Sequence, residues 1–196
     1  DFNPIPGDAY VFSGGWFKTA AIKLLQGLGL LPKEVYAYTP PWDEEDPPVV
    51  VGGFANPYPN SELCGYSYGQ PVYNGIHWGI DLCNNWASNP IYAAHSGTVT
   101  FARYLPQTEY LAYLWWISGN VVVIEGEDTD GNTIWTAYGH GDNGTMAVRE
   151  GDVVEAGQFL MMSGNTGFSN GIHLHLGMKV NGSWVNPAKY LGFWGD

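Results

Sequence analysis

The chain contains five histidines: His77, His95, His140, His173 and His175. Four of them fall in three short motifs beside apolar runs: "GIHWGIDLC" (75–83), "AYGHG" (137–141) and "GIHLHLG" (171–177). Imidazole is the side chain that both binds zinc and exchanges protons near neutral pH. His77 and Asp81 are four residues apart, an offset that shares a face on a strand and also on a helix. By itself HxxxD is a weak signal. His173 and His175 are two apart, so on a strand both rings project to one side, about 6–7 Å apart along the chain. Ile172, Leu174 and Leu176 then alternate to the opposite, buried face. Such a spacing suits one ring on a metal and the other beside the metal's water. Three N/O ligands plus a water make a catalytic zinc site. His77, Asp81 and one histidine of the triplet can supply the three. The other two histidines of these motifs remain for proton transfer. No HExxH occurs, so a helix-borne Glu base of that kind is absent. His95, in "YAAHSG", follows a strand-like run and precedes a Gly turn; it is expected to be a loop residue or a support, with no direct role.

The elements that position these groups are mostly short β-runs. "IYAAHSGTVTFARYL" (91–105) reads as strands around Gly97, and "GNVVVIEGEDTDGNTIWTAYGHG" as a hairpin turning at Asp130-Gly131. "VREGDVVEAGQFLMMSG" alternates apolar pieces with turn signals. The first part of the chain differs. Residues 16–31, "WFKTAAIKLLQGLGLL", have helical apolar spacing with Pro32 as a stop, and "TPPWDEEDPPVV" (39–50) reads as an extended acidic strap. The expected division is an N-terminal extension, 1–54, with one helix and the strap, followed by a mainly β domain, 55–196. Residues 104–118 carry Tyr104, Tyr110, Tyr113, Trp115 and Trp116. They are either a packing excursion or the wall of a binding cleft, with Tyr113, Trp115 and Trp116 as candidate substrate contacts.

Charged residues make up only 13%, against about a quarter in ordinary domains. Surface polarity must therefore come from Gly, Asn, Ser, Thr and Tyr. Net charge is −12, which repels phosphate backbones and argues against a nucleic-acid partner. An anionic substrate would have to be held by short-range contacts. No run of 18 apolar residues is present, and the N-terminus lacks a basic region ahead of an apolar stretch. Either a signal has been removed, export takes another route, or the chain is a fragment. Cys64 and Cys83 have 18 residues between them. A disulfide across that loop is worth about 3 kcal/mol in the chain-entropy picture. The other reading is two buried thiols, with redox compartment deciding. Cys83, two positions past Asp81, is also a conceivable zinc ligand.

Taken together, "HWGID" (77–81), "YGH" (138–140) and "GIHLHLG" (171–177) resemble the lysostaphin- and LytM-type zinc endopeptidases, which cleave peptide cross-links in bacterial peptidoglycan. "PIYAAHSGTVTFA", "GNVVVIEG" and "VREGDVVEAGQFLMMSGNTGFSNGIHLHL" are similar to the strands and the loop signature that accompany those motifs. The likeness covers roughly residues 60–190 and leaves the first 55 uncovered. It implies one Zn2+ held by His77, Asp81 and His175, with His140 and His173 as the catalytic histidines. It further implies an antiparallel β-sheet forming a groove walled by loops. Some relatives stabilise the oxyanion with a Tyr before the first motif, for which Tyr73 is the nearest candidate. Departures are Ile172 for a common Pro, Leu176 and Gly177 after the triplet, and Gly141 for a common Leu. The implied protein is a monomeric, extracytoplasmic peptidoglycan endopeptidase, secreted, envelope-associated or borne by a phage virion. The alternatives are a catalytically silent peptidoglycan-binding or regulatory domain, or one part of a phage tail lysin.

Overall fold

The computed structural model describes residues 48–72, 75–109 and 117–194. The helix expected over 16–31 and the strap up to Pro47 lie outside them, as do Tyr73, Tyr110, Tyr113, Trp115 and Trp116. In chain order the strands are β1 (Val50–Val51), β2 (Phe54–Ala55), β3 (Glu62–Cys64), β4 (Pro71–Val72), β5 (Gly75–Ile76), β6 (Ile80–Cys83) and β7 (Pro90–Tyr92). There follow β8 (Gly97–Leu105), β9 (Gly119–Glu127), β10 (Thr133–Gly141), β11 (Val153–Val154), β12 (Phe159–Met162), β13 (Leu174–Val180) and β14 (Ser183–Trp184). The main sheet is antiparallel, in the order β11-β8-β9-β10-β13-β6-β3, with β14 also on β13. The mainly β, antiparallel class expected from the sequence is therefore the observed one.

Strand alternation sorts the apolar residues onto two faces. Val122 and Ile124 of β9, Tyr138 of β10, and Leu174 and Leu176 of β13 join one core, with Ile91, Leu160 and Met161 from the β7–β12 layer. Val121, Val123, Trp135 and Ala137 form a second cluster with Phe101, Leu105 and Ile117. β8 serves both faces because its register with β9 shifts between Val99 and Phe101, so Val99 enters the first core and Phe101 the second. β-branched runs such as Val121–Ile124 suit a sheet covered on both sides.

The register has a functional consequence. On β13, Leu174 and Leu176 are wholly buried on one face, which leaves His175 on the other. A one-residue slip would exchange them, driving two leucines into the polar cluster and the imidazole into the apolar core. Hydrophobic burial thus fixes where His175 points. The β9–β10 hairpin turns at residues 128–132, where the Asp128 carboxylate accepts the N–H groups of Asp130 (3.0 Å) and Asn132 (2.9 Å). A C-terminal helix, Pro187–Leu191, is capped by Asn186, and its Tyr190 hydroxyl donates to Asp128 at 2.8 Å.

Cys64 and Cys83 are joined in a disulfide with Cα atoms 5.8 Å apart. Cys64 faces Asp81 across the β3–β6 ladder, so the bridge ties the edge strand to the strand that carries Asp81. With its sulfur in the bridge, Cys83 is not a thiolate ligand.

Candidate metal centre and active site

Asp81 and His175 are a Cα pair across β6 and β13, and Gly139 of β10 faces His175 from the other side. Across this ladder the Asp81 Oδ1 and His175 Nδ1 atoms meet at 3.1 Å. His77 arrives differently. A strand would carry residues four apart about 13 Å along its axis. His77 Nε2 nevertheless lies 3.3 Å from Asp81 Oδ1 and 3.0 Å from His175 Nδ1. Residues 77–79 belong to neither β5 nor β6, and this irregular link folds the imidazole back over the carboxylate. The strand or helix offset expected for the pair is therefore replaced by an irregular link. Gly79 permits the approach: a Cβ there would fall 2.6 Å from His175 Nε2 and 2.7 Å from the Leu176 carbonyl oxygen.

His173 lies one residue before β13, bridged to Gly164, with Nε2 3.7 Å from the same Asp81 oxygen. His140 sits where the β9–β10 ladder breaks between Tyr138 and Gly141, at a φ of 65°. That left-handed backbone is strained for a histidine and turns its ring toward the others. The His140 and His173 ring centroids are 4.7 Å apart, and those of His140 and His175 are 6.1 Å apart. All four imidazoles singled out in the sequence therefore gather around Asp81.

Backbone carbonyls assign the tautomers. A carbonyl only accepts, so each nitrogen facing one must carry the proton. His77 Nδ1 donates to Ser67 (3.2 Å), His140 Nδ1 to Thr166 (2.9 Å) and His173 Nδ1 to Gly171 (2.9 Å). Each neutral ring then has its Nε2 as the lone-pair atom. His175 is the exception, turning Nδ1 to the cluster, while its buried Nε2 has no hydrogen-bond partner among the described residues. Asp81 Oδ2 accepts the Tyr66 N–H at 2.9 Å, which leaves Oδ1 for the cluster. Ser67, Thr166, Gly171 and Tyr66 act here through main-chain groups, so their side chains gave no sequence signal. Only the "GNTG…G" spacing before the triplet marked two of their positions.

Electrostatics follow from this packing. Burial alone would raise the Asp81 carboxyl, but the hydrogen bond from His175 and the adjacent His77 imidazole hold it well below the ordinary carboxylate range. Burial pushes His175 below the usual imidazole value, partly offset by Asp81. His140 is pushed down to about 3, by burial first and then by the neighbouring His173 and His175 rings.

The donor set fits zinc. Tetrahedral zinc with bonds of about 2.0–2.1 Å separates its ligand atoms by about 3.3–3.4 Å. His77 Nε2, Asp81 Oδ1 and His175 Nδ1 lie 3.0–3.3 Å from one another. Among the described residues these three form the group able to hold a metal ion. Without a metal, one proton on His175 Nδ1 bridges the trio; a divalent cation would take its place.

His95 lies in the link between β7 and β8, where it acts as a support. It is buried and bridged to Phe54. Its Nδ1 donates to the Ser96 carbonyl (2.9 Å), and its Nε2 lies 2.9 Å from the Thr136 hydroxyl. Thr136 in turn meets the Tyr138 hydroxyl at 3.0 Å, which accepts the Ala94 N–H at 2.7 Å. Both His95 nitrogens are used in the core. Gly141, the departure noted beside His140, presents its carbonyl to Asn120 (3.0 Å) and Thr166 (2.7 Å), tying the His140 bulge to the loop before the triplet.

The model of peptidase family M23 matches residues 75–187, which span all five site residues. The chain is 32% identical over 142 residues to a lipoprotein NlpD/LppB homolog of Pseudomonas aeruginosa, covering 72% of this chain and 40% of that protein. It is 36% identical over 117 residues to the peptidoglycan DD-endopeptidase ShyA of Vibrio cholerae, covering 60% of this chain and 22% of that protein. It thus spans less than half of either relative. Among solved structures, the catalytic domain of lysostaphin from Staphylococcus simulans superposes with a TM-score of 0.50 at 29% identity, covering 65% of this chain and 90% of that one. A match of this extent, with the donors gathered in space, shows that the chain belongs to peptidase family M23.

Proposed function

We propose that this chain is a zinc-dependent endopeptidase that hydrolyses peptide bonds in the stem peptides or cross-bridges of bacterial peptidoglycan. The observation that carries the reading is the convergence of three donor atoms within 3.0–3.3 Å, beside two further imidazoles whose Nδ1 protons are held by carbonyls. A zinc ion held by His77, Asp81 and His175 would supply a Lewis acid that polarises a peptide carbonyl and lowers the pKa of a water to about 7.

The remaining chemistry belongs to the chain. His140, driven down to about 3, is neutral at working pH, and with Nδ1 donating to the Thr166 carbonyl its Nε2 carries the lone pair that faces the reaction. His173 keeps 13% of its side chain exposed, against 2% for His175, and so can exchange protons with solvent. Between them, the two Nε2 atoms take the proton from the attacking water and return it to the departing amine. The Ser67, Thr166 and Gly171 carbonyls prevent the rings from flipping to the other tautomer. One chain supplies every group, so a monomer suffices. Residues 1–54 are an extension and 55–196 the peptidase domain in this reading. Tyr73, Tyr113, Trp115 and Trp116 are the proposed groove contacts.

Relatives named as murein hydrolase activators, such as NlpD of Escherichia coli at 40% identity over 73 residues, raise the second reading of a silent regulator. Such a role needs no complete donor set, and this chain has one. Location at the cell envelope follows from the substrate; no helix among the described residues is long and apolar enough to cross a membrane. The test is digestion of purified peptidoglycans of several chemotypes, with product masses read with and without chelator. Metal-dependent release of peptide fragments is expected; intact polymer in every chemotype contradicts the enzyme reading.

A further inference from the structure

Beside the His173 loop stands a second feature that proton transfer does not use. Asn85 and Trp86 both have left-handed backbones, at φ of 52° and 54°. Asparagine tolerates that conformation; a tryptophan there is an outlier held by its surroundings. Trp86 is 59% exposed. A Cβ on Gly171 would lie 2.9 Å from Trp86 Cζ3, so the ring edge rests on the residue whose carbonyl orients His173.

The platform is rigid. Asn89 N–H donates to Ser163 Oγ (3.0 Å), Ser163 N–H to the Asn89 carbonyl (2.8 Å), and Ser88 Oγ to the Ser163 carbonyl (2.8 Å). Ser163 is wholly buried and also bonds the Tyr58 hydroxyl at 2.7 Å. The loop at 84–89 is therefore bolted to the strand end that opens the loop at 164–172. The facing sequences, "NNWASN" (84–89) and "NTGFSNGI" (165–172), hold amides, hydroxyls and aromatics but no charge. Phe168, in the second loop, is 65% exposed.

We propose that Trp86 is a sugar-stacking platform at the rim of the site, taking a pyranose ring of an N-acetylated amino-sugar strand. A flat indole face matches the apolar face of a pyranose. The surrounding amides and hydroxyls match its hydroxyl and N-acetyl groups. A neutral ring also suits a chain of net charge −12, for which long-range attraction to an acidic polymer is unavailable. The strained backbone is retained because it turns the indole outward. The proposal rests on the peptidoglycan reading for the source of the strand: the sugar binds at Trp86 while the attached peptide reaches the histidines.

The test is titration of the full chain with the N-acetylglucosamine tetramer, in parallel with a sugar-free stem-type peptide. The wild-type chain is expected to bind the tetramer. Trp86→Gly should weaken that binding about tenfold or more, with Trp86→Phe intermediate. Trp86→Gly should keep the melting temperature, because glycine relaxes the left-handed position, and should treat the sugar-free peptide as wild type does. If the glycine variant fails to fold, Trp86→Phe carries the comparison. Absence of tetramer binding by wild type, equal binding by the variants, or equal loss on the sugar-free peptide overturns the proposal. Failure of the hydrolase reading looks different: sugar binding persists at Trp86 while no peptidoglycan is cleaved.

Discussion

Asp81 and His175 face each other as a residue pair within an unbroken ladder, whereas His140 and His173 sit where the ladder stops. The first two owe their positions to strand register, which buried leucines on the reverse face hold in place. The second two are oriented by the Thr166 and Gly171 carbonyls of one loop. A metal site needs donors fixed to a few tenths of an ångström, which a covered sheet provides. Proton transfer needs imidazoles with a free Nε2; His173 keeps part of its side chain exposed, whereas His140 is as buried as the donors. His77 joins the sheet-borne group although no strand carries it; Gly79 and the Ser67 carbonyl hold it there.

The contrast can be broken at several points. Asp81→Ala or His175→Ala removes a sheet-borne donor, so both bound zinc and turnover should fall to background by metal analysis and peptidoglycan digestion. His173→Ala should keep zinc and lose on the order of 10²–10⁴-fold in turnover, the usual worth of a positioned acid or base. Gly79→Ala pushes on the His175 ring and should weaken zinc affinity about 10–100-fold, as disturbance of a ligand's support does. It can be measured by competition with a chromogenic chelator. Opening the Cys64–Cys83 bridge by a double serine change should cost about 3 kcal/mol in denaturant unfolding. The smallest effect is at His95. Burial lowers its pKa below the unfolded value of about 6.5, so the unfolded chain binds a proton that the fold excludes. Its contribution is intact above that pH and declines below it. The fall in melting temperature between pH 7 and 5 should therefore be shallower in His95→Gln.

The sheet-borne half was the more legible in sequence. Alternation around His175 revealed the face, and β-branched runs revealed the strands that flank it. "HWGID" indicated a His–Asp pair but not its geometry, because the irregular link at 77–79 brings together atoms that strand periodicity would separate. The half formed by His140 and His173 was legible as motifs only. The carbonyls of Ser67, Thr166 and Gly171 belong to the main chain, and no side-chain pattern announces a main-chain acceptor. Trp86 passed unnoticed for a related reason: its distinguishing property is a backbone angle. His95 was legible as a loop residue or a support from the Gly97 that follows it; its burial in the β7–β8 link was not, because no side-chain pattern marks the Thr136 hydroxyl it meets.

The division of labour within the site is tested most directly by His140→Ala, with zinc content and peptidoglycan turnover measured on the same preparation. One zinc per chain with turnover near background is the predicted result, since His77, Asp81 and His175 remain in place. Loss of zinc alongside turnover, or full turnover with zinc retained, would contradict the proposed separation of the metal-holding trio from the two proton-handling histidines.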